Sequence, residues 1–419
     1  MLNIFLANFS FFGRSASTWR RLGWGIGSLG IWLLFAAKVQ AITQPPETGN
    51  LRQEFTNLGT SMPKLNNSYS NELKSSSLLL RHQPFLIAAP PENFNPSLQL
   101  APSPPSLPPA TPKPSVNAEP TMPIVVWDSL QIDFRNSLDN VEQHNRFIEP
   151  TAQFRLPNGN KITFKTGFNS FDQPGVESIT NIPFQVGWKG KIDKVIVQTT
   201  LGVDLFDRLP TAINLNAKVE TPIGINVTPA GKLRSGLVVS ANLEQTPYKS
   251  NARTLDSQIT AWRLGPELFW QIDSNTSLFA SFRMGKYNDG NDERQLFSRL
   301  ERKIGQFSVA ANLFNWSYDR DLESTSGYFS PPDFFVYNAE LAWEGDVFEF
   351  LRCRLSATLG QQRLQGKFDR ANDYQARCTA KISPNVEAGL AYTFSNVKNN
   401  AGANDYNGRA LTSQLRFKF

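Results

Sequence analysis

The residues from which catalytic and metal sites are usually built are scarce. Among 419 residues there are two cysteines and two histidines. Structural zinc takes four such ligands, so a metal cluster is not expected. His82 and His144 stand far from each other and from both cysteines in sequence, which leaves no evident nucleophile and base pair. No G-x-S-x-G elbow occurs. Carboxylate pairs such as Asp319 and Asp321 sit in turn-like sequence, where acids are common for other reasons. These absences point away from an enzyme and away from any bound cofactor.

Charge is thin as well. Asp, Glu, Lys and Arg make up 19% of the chain, below the roughly 25% of soluble domains. The formal net charge is +6, but Arg14, Arg20, Arg21 and Lys38 all precede Ala41, with no acid among them. Taking those four from the 42 bases leaves 38, against 36 acids. That is no footprint for nucleic acid. Aromatics reach 12%, with 31 phenylalanines, yet the average residue is polar. Apolar residues spread singly along strands give that combination, and a bundle of membrane helices does not.

What is present first is an address. RSASTWRR (14–21) precedes an uncharged apolar run of 16 residues, Leu22 to Ala37, and then KVQAIT with small residues at Val39 and Ala41. A basic region, an apolar region and a small-residue cut site make a signal peptide over residues 1–41. The run is short of the about 20 residues of a full span, though an uncleaved signal anchor is the other reading. Residues 42–123 lack sustained periodicity, and Ala89 to Pro123 is dense in proline. Proline donates no backbone hydrogen bond and favours extended chain. The expectation is a disordered periplasmic spacer. SSSLLLRHQPFLIAA (75–89) reads either as a docking patch within it or as unstructured chain.

From Ile124 the grammar changes to strands and turns. AINLNAKVET (212–221), SLFASFRMG (277–285) and VEAGLAYTFSN (386–396) each put apolar residues on one parity and polar ones on the other. Period 3.6 would scramble these sets. Seventeen strand starts are legible, of which GINVTP near 223 is the weakest, so about sixteen strands are expected, with fourteen or eighteen as alternatives. A soluble sandwich would have to bury the second face. That face carries Arg352, Arg354, Arg377, Lys381, Arg416 and Lys418, and unpaired charges cannot be buried cheaply. It must see water while the other face sees lipid. The fold class is therefore all-β, a closed transmembrane antiparallel barrel over residues 124–419 in the outer membrane. The six bases would line its lumen wall or a constriction. The chain ends on GRALTSQLRFKF, with Leu411, Leu415, Phe417 and Phe419 on one face. Bacterial outer-membrane barrels resemble one another in ending on such a strand, whose last aromatic belongs to the assembly signal. Phe419 would thus engage the barrel assembly machinery.

If the hairpin after residue 351 turns at Gln365–Gly366, Cys353 faces Cys378 across two strands on the lipid side. Two readings follow: a disulfide, which the exported compartment permits, or two small apolar side chains. The same register sets Arg354 opposite Arg377, which is costly unless acids, water or a ligand intervene. Glu220, Glu244 and Glu301 are candidates for that compensation.

One loop is distinctive. Gly327-Tyr328-Phe329-Ser330-Pro331-Pro332-Asp333-Phe334-Phe335 leads into a strand a few strands before the C-terminus. It resembles the glycine-tyrosine-aromatic-serine-proline stretch in the C-terminal barrel of the outer-membrane subunit that exports bacterial cellulose, and of related exopolysaccharide exporters. The resemblance implies a barrel of about sixteen strands that passes an extracellular polysaccharide. In that family a periplasmic scaffold of helical repeats precedes the barrel. Residues 42–123 are too short and too proline-rich for one, so a separate scaffold and an inner-membrane polysaccharide synthase would be partners. Tyr328, Phe329, Ser330, Asp333, Phe334 and Phe335 are candidate polysaccharide contacts, since aromatic faces and hydroxyls suit sugars. The bland reading places Tyr328, Phe329 and Phe335 in the girdle at the membrane interface, or has them anchor the loop against the wall. Two other functions stay open: a general or anion-preferring solute porin, and a structural protein that tethers envelope layers.

Overall fold

The computed structural model describes residues 125–228, 233–398 and 406–419. The expected signal peptide and the body of the proline-rich segment lie outside the described residues. The first half of the wall is built from β1 (Val126–Asp139), β2 (His144–Arg155), β3 (Lys161–Thr166), β4 (Phe168–Gln173), β5 (Val176–Ile192), β6 (Val195–Phe206), β7 (Ala212–Val227) and β8 (Leu233–Pro247). The second half is β9 (Thr260–Gln271), β10 (Thr276–Tyr287), β11 (Asp292–Ile304), β12 (Phe307–Tyr318), β13 (Phe334–Phe348), β14 (Leu351–Leu364), β15 (Lys367–Ser383), β16 (Val386–Ser395) and β17 (Gly408–Lys418). Among the described residues two short helices, α1 (Ala252–Asp256) and α2 (Glu323–Ser326), sit in loops.

Apart from β3 and β4, which do not pair with each other, every strand pairs antiparallel with its sequence neighbours, and β17 returns to β1 from Ser129↔Lys418 to Asp139↔Gly408. No edge is left, as hydrocarbon requires. β3 and β4 both lie between β2 and β5, so they form one stave broken at Gly167, and the barrel has sixteen staves. A Cβ on Gly167 would collide with the carbonyl oxygen of Ile148. The weak candidate near 223 is not a separate strand. β7 runs through it with an irregular register between Ile223 and Asn226.

Alternation decides what faces where. On β12, Phe307, Val309 and Leu313 are exposed, while Ser308, Ala310, Phe314, Trp316 and Tyr318 are buried. The exposed parity forms the apolar outer surface, and the other lines the lumen. The two ends differ. One carries both ends of the wall and short connections such as 193–194, 305–306 and 384–385. The other carries the long loops 248–259 and 319–333. At the short-turn end, Trp127 packs on Phe154 and on Phe419 with ring centroids 5.2 and 5.3 Å apart. The terminal residue thus covers the seam between β1 and β17.

The β14–β15 hairpin turns at Gln365–Gly366, with φ of 49° and 79°. Cys353 is paired in register with Cys378 on the outer face, and the two are joined by a disulfide.

A closed mouth above a charged lumen

At the long-loop end the inward parity is aromatic rather than polar. Phe314, Trp316 and Tyr318 follow one another at alternate positions of β12, and Tyr287 ends β10. A water-filled wall gains nothing from such side chains, so they need a partner in the lumen. Loop 319–333 supplies it. Residues 326–331 are all buried, and Tyr328, Phe329 and Phe334 join the aromatic cluster. The Tyr328 ring stacks on Tyr287 at 5.1 Å with planes 8° apart, and meets Tyr248 edge-on at 5.2 Å. Phe329 packs edge-on against Trp316 and Phe334.

Polar groups fix the loop where it lies. The Tyr328 hydroxyl donates to Asp289 at 3.0 Å and accepts from the Asn291 amide at 3.0 Å. Asn291 also donates to the Arg320 carbonyl and accepts from its amide. The Ser330 hydroxyl accepts from the Leu322 amide at 2.7 Å, and the Pro331 carbonyl accepts from the Tyr318 amide. Gly327 closes α2 at φ 80°, and a Cβ there would lie 2.7 Å from Cγ of Arg253. Left-handed backbone and close approach both demand glycine. Burial pushes the Tyr248 and Tyr328 phenols above the ordinary tyrosine value of 10.0, so both stay neutral hydrogen-bond donors.

Beneath the rings lies a buried ion pair. The Arg263 Nε donates to Glu293 at 2.9 Å and its Nη2 donates to the Tyr287 hydroxyl at 2.7 Å. The Arg263 guanidinium also covers the Tyr248 ring, 4.4 Å from its centroid. Glu293 accepts from the Trp316 indole at 2.8 Å. Both charges are almost wholly buried, so their desolvation has to be offset by these contacts.

A second loop reaches in from β8–β9 and contacts the opposite wall. Asn251 caps α1 by accepting from the Thr254 amide at 2.8 Å. Ala252 and Leu255 of α1 pack on Phe147, Phe171 and Ile179, which belong to β2, β4 and β5. Asn145 of β2 donates to the Ser250 carbonyl at 2.8 Å. The two loops then meet: Asn251 donates to the Gly327 carbonyl at 2.8 Å, and Arg253 donates to the Ser324 carbonyl at 2.9 Å. Together they bridge the mouth from β2–β5 to β8–β14.

Below this plug the lumen wall is charged. Arg354 contacts Glu340 at 2.8 Å, Glu344 at 3.6 Å and Glu301 at 3.7 Å. Arg299 holds Glu301 and Glu340 at 2.6 and 2.7 Å. Arg352 holds Glu344 at 2.9 Å, and Lys418 holds Glu387 at 2.8 Å. Arg354 does stand opposite Arg377. Of the acids considered as compensation, Glu301 reaches Arg354, whereas Glu244 pairs with Arg263 and Arg283. Glu340 and Glu344, which periodicity alone did not single out, do most of the balancing.

The structure therefore separates the residues that sequence grouped. Arg352, Arg354, Arg377, Lys381, Arg416 and Lys418 share the lumen parity of β14, β15 and β17. Tyr328, Phe329, Ser330 and Phe334 are buried in the plug, where their rings and hydroxyl meet protein partners. Asp333 is half-exposed and pairs with Arg363 at 2.8 Å. Phe335 lies on the outward parity beside Tyr337, the one ring of the loop placed as a girdle residue would be. The signal for the plug was present in FNWSY (314–318), three large aromatics on the wet parity.

No family model matches the chain, and no curated protein matches it. Solved structures share its fold. A bacterial polysaccharide outer-membrane secretin superposes with a TM-score of 0.56 at 11% identity, covering 70% of this chain and 98% of that one. CdiB from Acinetobacter baumannii gives a TM-score of 0.44 at 8% identity, covering 69% of this chain and 60% of that one. OccK3 (OpdO) from Pseudomonas aeruginosa gives a TM-score of 0.39 at 11% identity, covering 70% and 95%. The class the fold defines is the sixteen-stranded outer-membrane β-barrel.

Proposed function

We propose that this barrel is a gated outer-membrane channel that exports an extracellular polysaccharide. The short-turn end faces the periplasm and the long-loop end faces the outside, as is usual for such barrels. The barrel itself performs no catalysis. Transport is passive, driven by a polysaccharide synthase in the inner membrane, with a separate periplasmic scaffold feeding the short-turn end. The observation that carries this reading is the place of the Gly327–Pro331 stretch. The segment that resembles polysaccharide exporters is also the centrepiece of the plug, held by Tyr287, Asp289, Asn291 and Asn251. The shared fold with a polysaccharide secretin supports it.

The test is polysaccharide in the secreted and periplasmic fractions of a clean deletion strain, against a complemented control. Export predicts that secreted polymer falls and periplasmic sugar rises. Unchanged pools with reduced small-solute uptake would make this a porin instead. Detachment of the envelope without loss of transport would make it a tether.

A further inference from the structure

We infer that the short-turn end of the lumen carries a recognition strip for a polyanionic glycan. This rests on the export reading and names its substrate class. Over the half of β14–β17 nearest the short turns, the inward positions carry Arg352, Arg354, Arg377, Lys381, Arg416 and Lys418, against one carboxylate, Glu387. The neighbouring wall does not neutralise all of them. On the β11–β13 side the inward acids Glu301, Glu340 and Glu344 are already held by Arg299, Arg352 and Arg354, and on β1 Asp133 accepts from Gln131 and Gln414. Glu387 stands opposite both Lys381 and Arg416 in register, yet its carboxylate pairs with Lys418.

Two cations are left over. The side chains of Arg377 and Lys381 make no ion pair or hydrogen bond among the described residues. Arg377 stands directly opposite Arg354, but the acids of that pair, Glu340, Glu344 and Glu301, contact Arg354. An anion beside Arg377 would supply the contact that those acids give Arg354. Arg377 and Lys381 are four residues apart on one strand, about 13 Å, while Lys381, Glu387 and Arg416 lie abreast on three neighbouring strands. That is a track along the wall rather than a single pocket. It suits an extended chain bearing repeated carboxylates or other acidic groups better than one small anion. A guanidinium also grips a carboxylate through paired N–H donors.

The experiment uses the purified full chain in detergent and two fluorescent probes of equal length, polygalacturonate and neutral dextran. The wild type should bind polygalacturonate, with affinity that falls as salt rises, and should not bind dextran. Combining Arg377→Glu with Lys381→Glu should weaken polygalacturonate binding about tenfold or more. Arg377→Gln with Lys381→Gln should give an intermediate loss, which guards against a folding defect in the reversed variant. Heat-dependent mobility on gels checks that each barrel is closed. Equal binding of dextran, no binding of polygalacturonate, or wild-type binding by the reversed variant would overturn the inference. Binding as predicted, in a chain whose deletion leaves secretion intact, would sink export alone.

Discussion

The two ends of this barrel use the same alternation for opposite purposes. At the short-turn end the inward parity carries arginine and lysine, and the aromatics Trp127, Phe154 and Phe419 sit outside. At the long-loop end the inward parity carries Phe314, Trp316, Tyr318 and Tyr287, and two loops fill the space they enclose. Where lumen side chains are charged, water must reach them, and the passage stays wet. Where they are aromatic, the chain supplies its own occupant. A closed wall fixes the path. The composition of the inward face decides whether that path is open at a given height.

The contrast can be broken most directly at the buried ion pair. Arg263→Met leaves Glu293 charged and without its main partner beneath the rings. Removing one member of a buried pair costs about 3–5 kcal/mol. The plug should loosen while the wall survives, which is read as a rise in bilayer conductance at an unchanged far-ultraviolet spectrum. Gly327→Val comes next. It forces a side chain into the left-handed region and against Arg253, at about 1–3 kcal/mol for the backbone alone. The loop should undock, and trypsin should cut at Arg320 faster than in the wild type.

Smaller effects sharpen the comparison. Tyr328→Phe removes the hydroxyl shared by Asp289 and Asn291, worth about 1 kcal/mol net, and should give brief openings rather than a steady one. Proton linkage gives a related expectation. Tyr248 and Tyr328 are raised by burial above 10.0, so the docked loop keeps protons that an undocked one releases. Their contribution is complete below the ordinary value and is lost as pH climbs above it. Conductance should be flat from about pH 6 to 9 and increase beyond about pH 10. At the other end, replacing Cys353 and Cys378 by alanine should lower thermal stability by up to about 3 kcal/mol. The bond lies on the outer face, so conductance should not change.

Much of the wall could be read from sequence, because lipid outside and water inside impose the simplest periodicity a chain can have. AINLNAKVET lies within β7 and VEAGLAYTFSN covers β16 with the inward and outward sets its alternation implies. The Cys353–Cys378 register followed from one tight turn. The break at Gly167 is less legible: Lys161 to Gln173 reads as one strand start, and the register sets Gly167 opposite Pro183, which has no backbone N–H for the ladder. The plug was least legible. Tyr328 and Phe329 read as sugar contacts, as girdle residues or as anchors of the loop against the wall, because a loop sequence does not say which way it folds. That direction is set by residues distant in sequence, among them Tyr248, Asn251, Asp289 and Asn291. Their meaning appears only when the barrel brings the strand ends together.

The central claim is that the barrel is a conduit shut at its long-loop end by its own two loops. The direct test is single-channel conductance in planar bilayers, comparing the full chain with one in which residues 320–332 are replaced by a short glycine-serine turn. The account predicts a wild type that is mostly silent and a shortened chain with a large, steady, ohmic conductance. A wild type that is already open, with a conductance the replacement does not alter, would contradict it.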